Sequence, residues 1–148
     1  MKANIKTIGI ASDHAGFDLK KIITDYLTNL GIKVDDFGTH SAKSMDYPDI
    51  AHPLANSVER REVEAGIAIC GSGNGINMTV NKHQGIRAAL CWTPELAKLA
   101  REHNDANILS LPARFISPET ALEIVSIFIS TSFEGGRHET RVNKINCQ

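Results

Sequence analysis

The sequence predicts an α/β fold in which a five-stranded parallel sheet is covered by helices on both faces. Short apolar runs typical of strands alternate along the chain with stretches whose apolar residues recur at helical spacing. Such alternation favours parallel strands joined by crossover helices. No repeat or linker divides the 148 residues, a length that suffices for one core. We therefore expect a single domain over residues 1–148.

Five apolar runs predict the strands. The run AGIAIC is apolar throughout, which is typical of a strand buried on both faces. The predicted strands are 6–12, 32–38, 65–70, 86–91 and 107–113.

Helical periodicity and capping residues predict the helices between these strands. Gly31 ends the first helix as a C-terminal cap. The pairs Thr93-Pro94 and Ser117-Pro118 each place a capping hydroxyl before a proline at the first helical position. The predicted helices are 16–31, 48–62, 76–84, 93–104 and 117–131, with a polar loop at 41–48 and a polar tail after 131.

Composition and charge exclude several classes of protein. The formal net charge is −1, with 42% hydrophobic and 22% charged residues, the balance of an ordinary water-soluble protein. Because there is no basic stripe, we expect no nucleic-acid or membrane partner. No apolar run approaches the roughly 20 residues that a membrane-spanning helix needs. The three cysteines are widely spaced and odd in number, which disfavours a disulfide framework or a zinc knuckle and favours a reducing, cytoplasmic setting.

Cys70 opens the most distinctive segment, CGSGNG. In parallel α/β sheets ligands bind beyond the carboxyl ends of the strands, and Cys70 ends the predicted third strand. Gly71, Gly73 and Gly75 leave backbone N–H groups free to converge on an anion in front of the next helix. Their spacing differs from GxGxxG and GxxxxGKS/T, which favours a phosphate, or an oxyanion formed during a reaction, over a dinucleotide. A tight structural turn is the alternative interpretation.

The three cysteines differ in their surroundings. A thiol beside a helix N-terminus and a nest of N–H groups should have its thiolate stabilised, so Cys70 is a candidate nucleophile or general base. A small buried side chain is the alternative. Cys91 also ends a strand, but no glycine loop follows it, which favours core packing. Cys147 lies in the polar tail, and we assign it no role.

Two short polar segments are candidates for acid–base chemistry. Asp13-His14 follows the first strand directly, and His103-Asn104 ends the fourth helix. Two histidines, an aspartate and a thiol near one rim of the sheet favour acid–base work, whereas a surface or capping role is the alternative for each histidine alone. No two possible ligands stand at i, i+3 or i+4 spacing within a plausible set, so we predict no metal site.

Arg137 and Arg141 lie four residues apart in EGGRHETR. On a helix they would share one face, where two guanidinium groups suit a phosphate dianion. A solvated charged tail is the alternative.

Five segments together resemble the type B ribose-5-phosphate isomerases, in the family that also holds the galactose-6-phosphate isomerase subunits. In order, they are SDHAGFDLK, DYPDIA, CGSGNGINMTVNKHQGIRAAL, HNDAN and EGGRHETRV, so the resemblance extends from Ile8 to Val142. It implies a Rossmann-like three-layer α/β/α sandwich that forms a homodimer or a dimer of dimers, with active sites at the subunit interface. It also implies interconversion of D-ribose 5-phosphate and D-ribulose 5-phosphate, in the pentose phosphate pathway, without a metal or other cofactor.

The same resemblance implies roles for the candidate residues. Cys70 would move the proton between C2 and C1 with Ser72 beside it, and His103 would help to open the furanose ring. The loop N–H groups would stabilise an enediolate, and the Cys70 side and the His103 side would come from different chains. The implied substrate contacts are Asp13, His14, Gly71, Gly73, Asn74, Gly75, Asn104, Arg137 and Arg141, with Arg114 as a further phosphate candidate.

Two departures from the family pattern bear on these roles. Pro112-Ala113 stands where relatives more often have a glycine–serine turn, which leaves the role of Arg114 open. Some relatives place the base as a glutamate on the helix after the glycine loop. The matching segment 76–78, INM, offers no acid here, which favours Cys70.

Two other functions stay open from the sequence. A six-carbon substrate, such as allose 6-phosphate or galactose 6-phosphate, needs only a slightly larger pocket, and discrimination of one carbon can be as small as about 10-fold. A non-catalytic sugar-phosphate or nucleotide binding module would use the glycine loop and the arginines, and would leave Cys70 and His103 without a role.

Overall fold

The computed structural model describes residues 4–147, and its five strands form one sheet. The strands are β1 (Thr7–Ser12), β2 (Lys33–Asp36), β3 (Ala65–Cys70), β4 (Ala88–Leu90) and β5 (Ile108–Pro112). Their spatial order is β2-β1-β3-β5-β4, and every pairing is parallel. The chain leaves β1 toward β2 and later continues from β3 in the opposite direction, so the topological switch point lies between β1 and β3.

The helices connect these strands in the predicted alternation. They are α1 (Phe17–Asn29), α2 (Pro48–Glu59), α3 (Asn74–Val80), α4 (Pro94–Asn104), α5 (Pro118–Ser130) and α6 (Arg137–Val142), with a 3₁₀ turn at His14–Gly16. The predicted caps are present, since the hydroxyl of Thr93 accepts from the N–H of Leu96 and that of Ser117 accepts from Thr120.

Helices cover both faces of the sheet, which confirms the predicted three-layer, Rossmann-like α/β/α sandwich. One core cluster joins α1, α4 and α5 to the sheet around Phe128, and the other joins α2 and α3 around Leu54 and Ile76. Strand β3 is buried along its whole length because it lies at the centre of the sheet and both layers cover it. No helix within residues 4–147 is long and apolar enough to cross a membrane.

Several element boundaries differ from the sequence prediction, most clearly those of β4 and α3. Strand β4 is only three residues long because it is an edge strand that pairs with β5 alone. The side chain of Asn81 accepts from the Ala88 N–H and donates to the Ala88 carbonyl, so it replaces a neighbouring strand there. Helix α3 begins at Asn74, two residues before the predicted start, and therefore inside the glycine loop.

Lys20 is a buried charge in α1, and we expect Lys20→Met to destabilise the fold. Its Nζ lies 2.6 and 2.7 Å from the two carboxylate oxygens of Asp36, which also accepts from the Gly38 N–H at 2.8 Å. Removing Lys20 leaves the Asp36 carboxylate without its ion-pair partner. Because Asp36 is about one third exposed, we expect a loss of about 2 kcal/mol in the free energy of unfolding. Urea denaturation measures this loss. Lys21→Met is the matched control at an exposed neighbour, and an equal loss there would contradict the role of the ion pair.

Candidate active site

Cys70 is the last residue of the central strand and lies where the strand opens onto the glycine loop. It is 5% exposed, and its carbonyl accepts from the Ala113 N–H at 2.9 Å. The next carbonyl, that of Gly71, accepts from the Arg114 N–H at 3.0 Å. These two bonds hold the start of the loop against the end of β5, so the thiol has a defined position at the carboxyl edge of the sheet.

The glycine loop brings its backbone directly to the first turn of α3. Gly73 has φ +75° and its carbonyl accepts the first helical bond, from the Asn77 N–H at 3.1 Å. The hydroxyl of Ser72, the residue before the N-cap Gly73, accepts from the Asn74 N–H at 3.3 Å. Ser72 and Asn74 are exposed, so the loop presents polar groups and the positive end of a helix to a ligand next to Cys70.

Gly73 has no room for a side chain, and we expect Gly73→Ala to impair both folding and activity. A Cβ there would lie 2.4 Å from Leu90 Cδ1 and 3.2 Å from the backbone of Leu111, at a positive φ. Left-handed backbone and crowding together cost about 2–3 kcal/mol, and a displaced loop should lower kcat/KM about 10-fold or more. Urea denaturation and activity assays measure the two effects.

Gly31→Ala is the control for that substitution. Gly31 has φ +79°, but a Cβ there would meet no atom within 4 Å. We expect it to cost only the backbone part, about 1–2 kcal/mol, with no change in activity. Equal effects of both substitutions on activity would contradict a specific role for the loop.

Asp13 and His14 lie at the same edge as Cys70, one strand away. The Asp13 N–H donates to the Ile69 carbonyl, and its carboxylate accepts from the N–H groups of Ala15 and Gly16 as the cap of the 3₁₀ turn. The Met45 N–H donates to Nδ1 of His14 at 3.3 Å, which leaves Nε2 as the nitrogen that can contact a ligand. The structure therefore brings together Asp13, His14 and the Cys70 loop around the switch point between β1 and β3.

Two further side chains border the glycine loop. The guanidinium of Arg114 covers Gly71, since a Cβ at that glycine would lie 3.0 Å from Arg114 Nη1. The ring of Tyr47 lies against Gly75, where a Cβ would be 2.5 Å from the phenolic oxygen. Tyr47 was missed as a neighbour of the loop, although it stands in the DYPDIA segment that carries the family resemblance. The Arg114 guanidinium therefore lies beside the glycine loop in the presence of the Pro112-Ala113 turn.

Cys91 differs from Cys70 in its environment. It is 1% exposed within the core cluster of α1, α4 and α5, and burial raises the pKa of the Cys91 thiol to about 12. The core-packing interpretation of Cys91 is therefore confirmed. Cys147 is exposed in the tail, and all three cysteines are free thiols.

His103 and Asn104 lie at the opposite edge of the sheet. Helix α4 starts after the carboxyl end of β4 and runs antiparallel to the strands, so its last turn lies beside the amino end of β5. The Asn104 carbonyl accepts from Nε of Arg87. The Arg87 carbonyl in turn accepts from the N–H of Asn107, which lies just before β5. The six residues of β3 separate the two edges by roughly 16 Å.

Arg137 and Arg141 belong to the same distant group. They lie four residues apart in α6, so the helix needed for them to share a face is present. The ring of His138, between them, stacks on His103 with 4.2 Å between centroids and 12° between planes. His138 is buried, and desolvation, followed by the charges of His103 and Arg137, lowers the pKa of its imidazole.

The prediction that both histidines, the aspartate and the thiol lie near one rim is therefore wrong for a single chain. Asp13, His14, Cys70, Ser72 and Arg114 lie at the carboxyl edge, whereas His103, Asn104, Arg137 and Arg141 lie at the amino edge. The reason is geometric, because a crossover helix carries its C-terminal residues back to the start of the next strand. His138 and Glu134 were also missed as neighbours of His103, and their adjacency to Arg137 in the sequence was the available signal.

The chain resembles known proteins over nearly its whole length. The family model described as Ribose/Galactose Isomerase matches residues 8–145. Ribose-5-phosphate isomerase B of Escherichia coli is 43% identical over 143 residues, which cover 97% of this chain and 96% of that protein.

Solved structures agree in fold at substantial sequence identity. A ribose-5-phosphate isomerase B structure from Clostridium thermocellum is 50% identical with a TM-score of 0.93, over 94% of both chains. The Mycoplasma genitalium ribose-5-phosphate isomerase B, solved with bound ribulose-5-phosphate, is 42% identical with a TM-score of 0.91, over 94% of this chain and 93% of that one. The match from residue 8 to residue 145, on the fold described above, shows that this chain belongs to the ribose/galactose isomerase family.

Proposed function

We propose that this chain is an aldose–ketose isomerase that interconverts D-ribose 5-phosphate and D-ribulose 5-phosphate, with Cys70 as the base. The observation that carries the proposal is the position of Cys70, at the end of a buried central strand and directly before a glycine loop that opens a helix. A base and a cradle for negative charge are the two parts that proton abstraction next to a carbonyl requires.

The chemistry moves one proton from C2 to C1 and one from the C2 oxygen to the C1 oxygen, so that the carbonyl shifts from C1 to C2. His103 promotes opening of the furanose ring, which releases the C1 aldehyde. The Cys70 thiolate then removes the proton from C2, and the electron pair moves to the C1 oxygen to form an enediolate. Loop N–H groups stabilise that oxygen, which is worth several kcal/mol of barrier. The Cys70 thiol returns the proton to C1 while the proton of the C2 hydroxyl passes to the C1 oxygen, which yields the ketose.

The phosphate is remote from the reacting carbons, so its binding energy can position the sugar. Arg137 and Arg141 lie four residues apart on one face of α6, so their two guanidinium groups can bind the same phosphate dianion. His14 through Nε2 and the Arg114 guanidinium supply cationic or donor groups at the other edge.

We further propose that the catalytic site is completed by a second copy of the chain in a homodimer. The support is the separation of the two residue groups by roughly 16 Å across β3, which is too far for one small sugar phosphate to reach around the sheet. Exposed apolar side chains lie beside each group, Phe115 at 75% and Trp92 at 54% near the carboxyl edge and Ile145 at 53% near the amino edge. Such exposed apolar groups are typical of a surface that another chain covers.

Conversion of ribose 5-phosphate to ribulose 5-phosphate by the purified protein, in the presence of a chelator, tests the proposed function. We expect turnover that survives chelation, since thiol, imidazole and backbone N–H groups supply every step. The same assay with allose 6-phosphate and galactose 6-phosphate compares kcat/KM between the sugars. A higher kcat/KM for a six-carbon sugar would replace the proposed substrate, and tight binding without turnover of any of them would instead support a binding module.

A further inference from the structure

We infer that His103, Glu134 and His138 form a binding site for one divalent transition-metal ion of the Zn²⁺ class, and that occupation of this site inhibits the isomerase. The binding part of this inference is independent of the proposed function, whereas the inhibition rests on it. The site is a combination of residues from the end of α4, the loop before α6 and α6 itself.

The three ligand atoms are already close to one another. One ring nitrogen from each histidine and one carboxylate oxygen all lie within 4.8 Å of each other. Nε2 of His138 and Oε2 of Glu134 are 3.5 Å apart, close to the separation of about 3.4 Å that two ligands of a tetrahedral Zn²⁺ adopt at bond lengths near 2.1 Å. Rotation of the side chains, of one histidine ring in particular, would bring all three atoms to bonding distance.

His138 carries a nitrogen without a hydrogen bond in a buried position. Its Nε2 is among the buried polar atoms with no hydrogen-bond partner in the described residues, and the residue is 8% exposed. A buried, unsatisfied acceptor or donor normally has a reason to be kept. A metal ion between His138, Glu134 and His103 would satisfy it.

The ligands are held on a pre-formed frame. The Glu134 N–H donates to the Glu102 carbonyl at 3.0 Å, which ties the loop to the residue next to His103. The histidine rings stack at 4.2 Å with nearly parallel planes, so one ring must rotate before the in-plane lone pairs of both can point at a shared ion. Two histidines and one carboxylate with an open fourth position are a ligand set that Zn²⁺ commonly takes.

The charges around the site make Glu134 decisive for the affinity. Arg137 and Arg141 flank His138 in α6, so their positive charges oppose a cation bound there. The carboxylate of Glu134 is the anionic ligand that offsets them. We therefore expect binding that depends strongly on this side chain.

Occupation would withdraw His103 from catalysis. A ring nitrogen bound to a metal can neither donate nor accept the proton that opening of the furanose ring requires. The base at Cys70 is untouched by this loss. Inhibition by the metal should therefore include a lower kcat.

The test uses chelator-stripped full-length protein carrying Cys147→Ser, so that the exposed tail thiol is absent. Co²⁺ is the probe, because its visible d–d bands report a four-coordinate site and a near-ultraviolet thiolate band would reveal sulfur ligation. We expect one Co²⁺ per chain with no thiolate band. Glu134→Gln should weaken binding by at least about 10-fold, the loss seen even for outer partners of metal sites.

Glu139→Gln is the matched control, since it removes the same charge from an exposed position in α6 and should leave Co²⁺ binding unchanged. His138→Gln provides a second ligand variant with the same expected loss. No saturable binding, a thiolate band, or equal affinity in Glu134→Gln and the unsubstituted site would each overturn the inference.

Inhibition is measured separately with Zn²⁺ in the isomerase assay. We expect Zn²⁺ to lower kcat, with Glu134→Gln needing at least about 10-fold more Zn²⁺ for the same effect. Co²⁺ binding by a protein that isomerises no sugar phosphate would contradict the proposed function and still support the metal site. Activity that is insensitive to Zn²⁺ while Co²⁺ binds would contradict only the proposed inhibition.

Discussion

Cys70→Ala is expected to lower kcat for ribose 5-phosphate about 1,000-fold while leaving the fold intact, since a positioned general base contributes about 10²–10⁴ to the rate. The substitution removes the only atom that reaches C2 in the proposed mechanism. The glycine loop and the arginines remain, so KM should change far less than kcat. Steady-state kinetics on both sugars, with chelator present, measure the effect.

The two other cysteines serve as controls for the Cys70 substitution. Cys147→Ala removes an exposed thiol and should leave kcat unchanged. Cys91→Ala should lower stability through the core and leave kcat nearly unchanged, because its buried thiol stays neutral with a pKa of about 12. A Cys70→Ala protein that isomerises at the normal rate would exclude the thiol as the base and direct attention to another group at the carboxyl edge, such as Asp13.

Two inactive variants should restore activity to each other if each site is built from two chains. In a heterodimer of one Cys70→Ala chain and one His103→Ala chain, one site carries both defects and the other carries neither. Differently tagged chains can be coexpressed and the heterodimer purified through both tags. We expect about half of the unsubstituted activity per heterodimer, since one of its two equivalent sites is intact.

The matched control pairs two defects from the same edge. A heterodimer of Cys70→Ala with Asp13→Ala has one defect in each site, so it should stay as inactive as either homodimer if both residues act from the carboxyl edge. Restoration in both pairs, or in neither, would contradict the two-chain arrangement. A protein that sediments as a monomer while active would also exclude it.

The strand and helix order could be predicted from the sequence because each element has a local signal. An uninterrupted apolar run identified β3 as buried on both faces, and hydroxyl–proline pairs identified the starts of α4 and α5. The boundaries of strands and helices were predicted less accurately where tertiary contacts decide them. Strand β4 is short because it has one neighbour only, and α3 starts early because Gly73 takes a left-handed conformation.

Candidate residues were identified from the sequence by chemical type, and their grouping was not. Cys70 before the glycine loop is a local feature, so its position at the carboxyl edge followed directly from the strand pattern. The cluster of His103, Glu134 and His138 joins segments about 30 residues apart. Glu134 and His138 stand four residues apart, but nothing in the sequence indicates that His103 lies beside them. The spacing of residues along the chain predicts contacts within one helix or turn. It does not predict contacts between α4 and α6.

The α/β class, the element order and the family resemblance could all be predicted from the sequence, because they depend on periodicity, capping and the five segments that resemble the family. The tertiary structure was needed to show that the Cys70 group and the His103 group lie at opposite edges of the sheet. A parallel strand and its crossover helix run in opposite directions, so residues at the end of a strand and at the end of the next helix are separated by the length of the sheet.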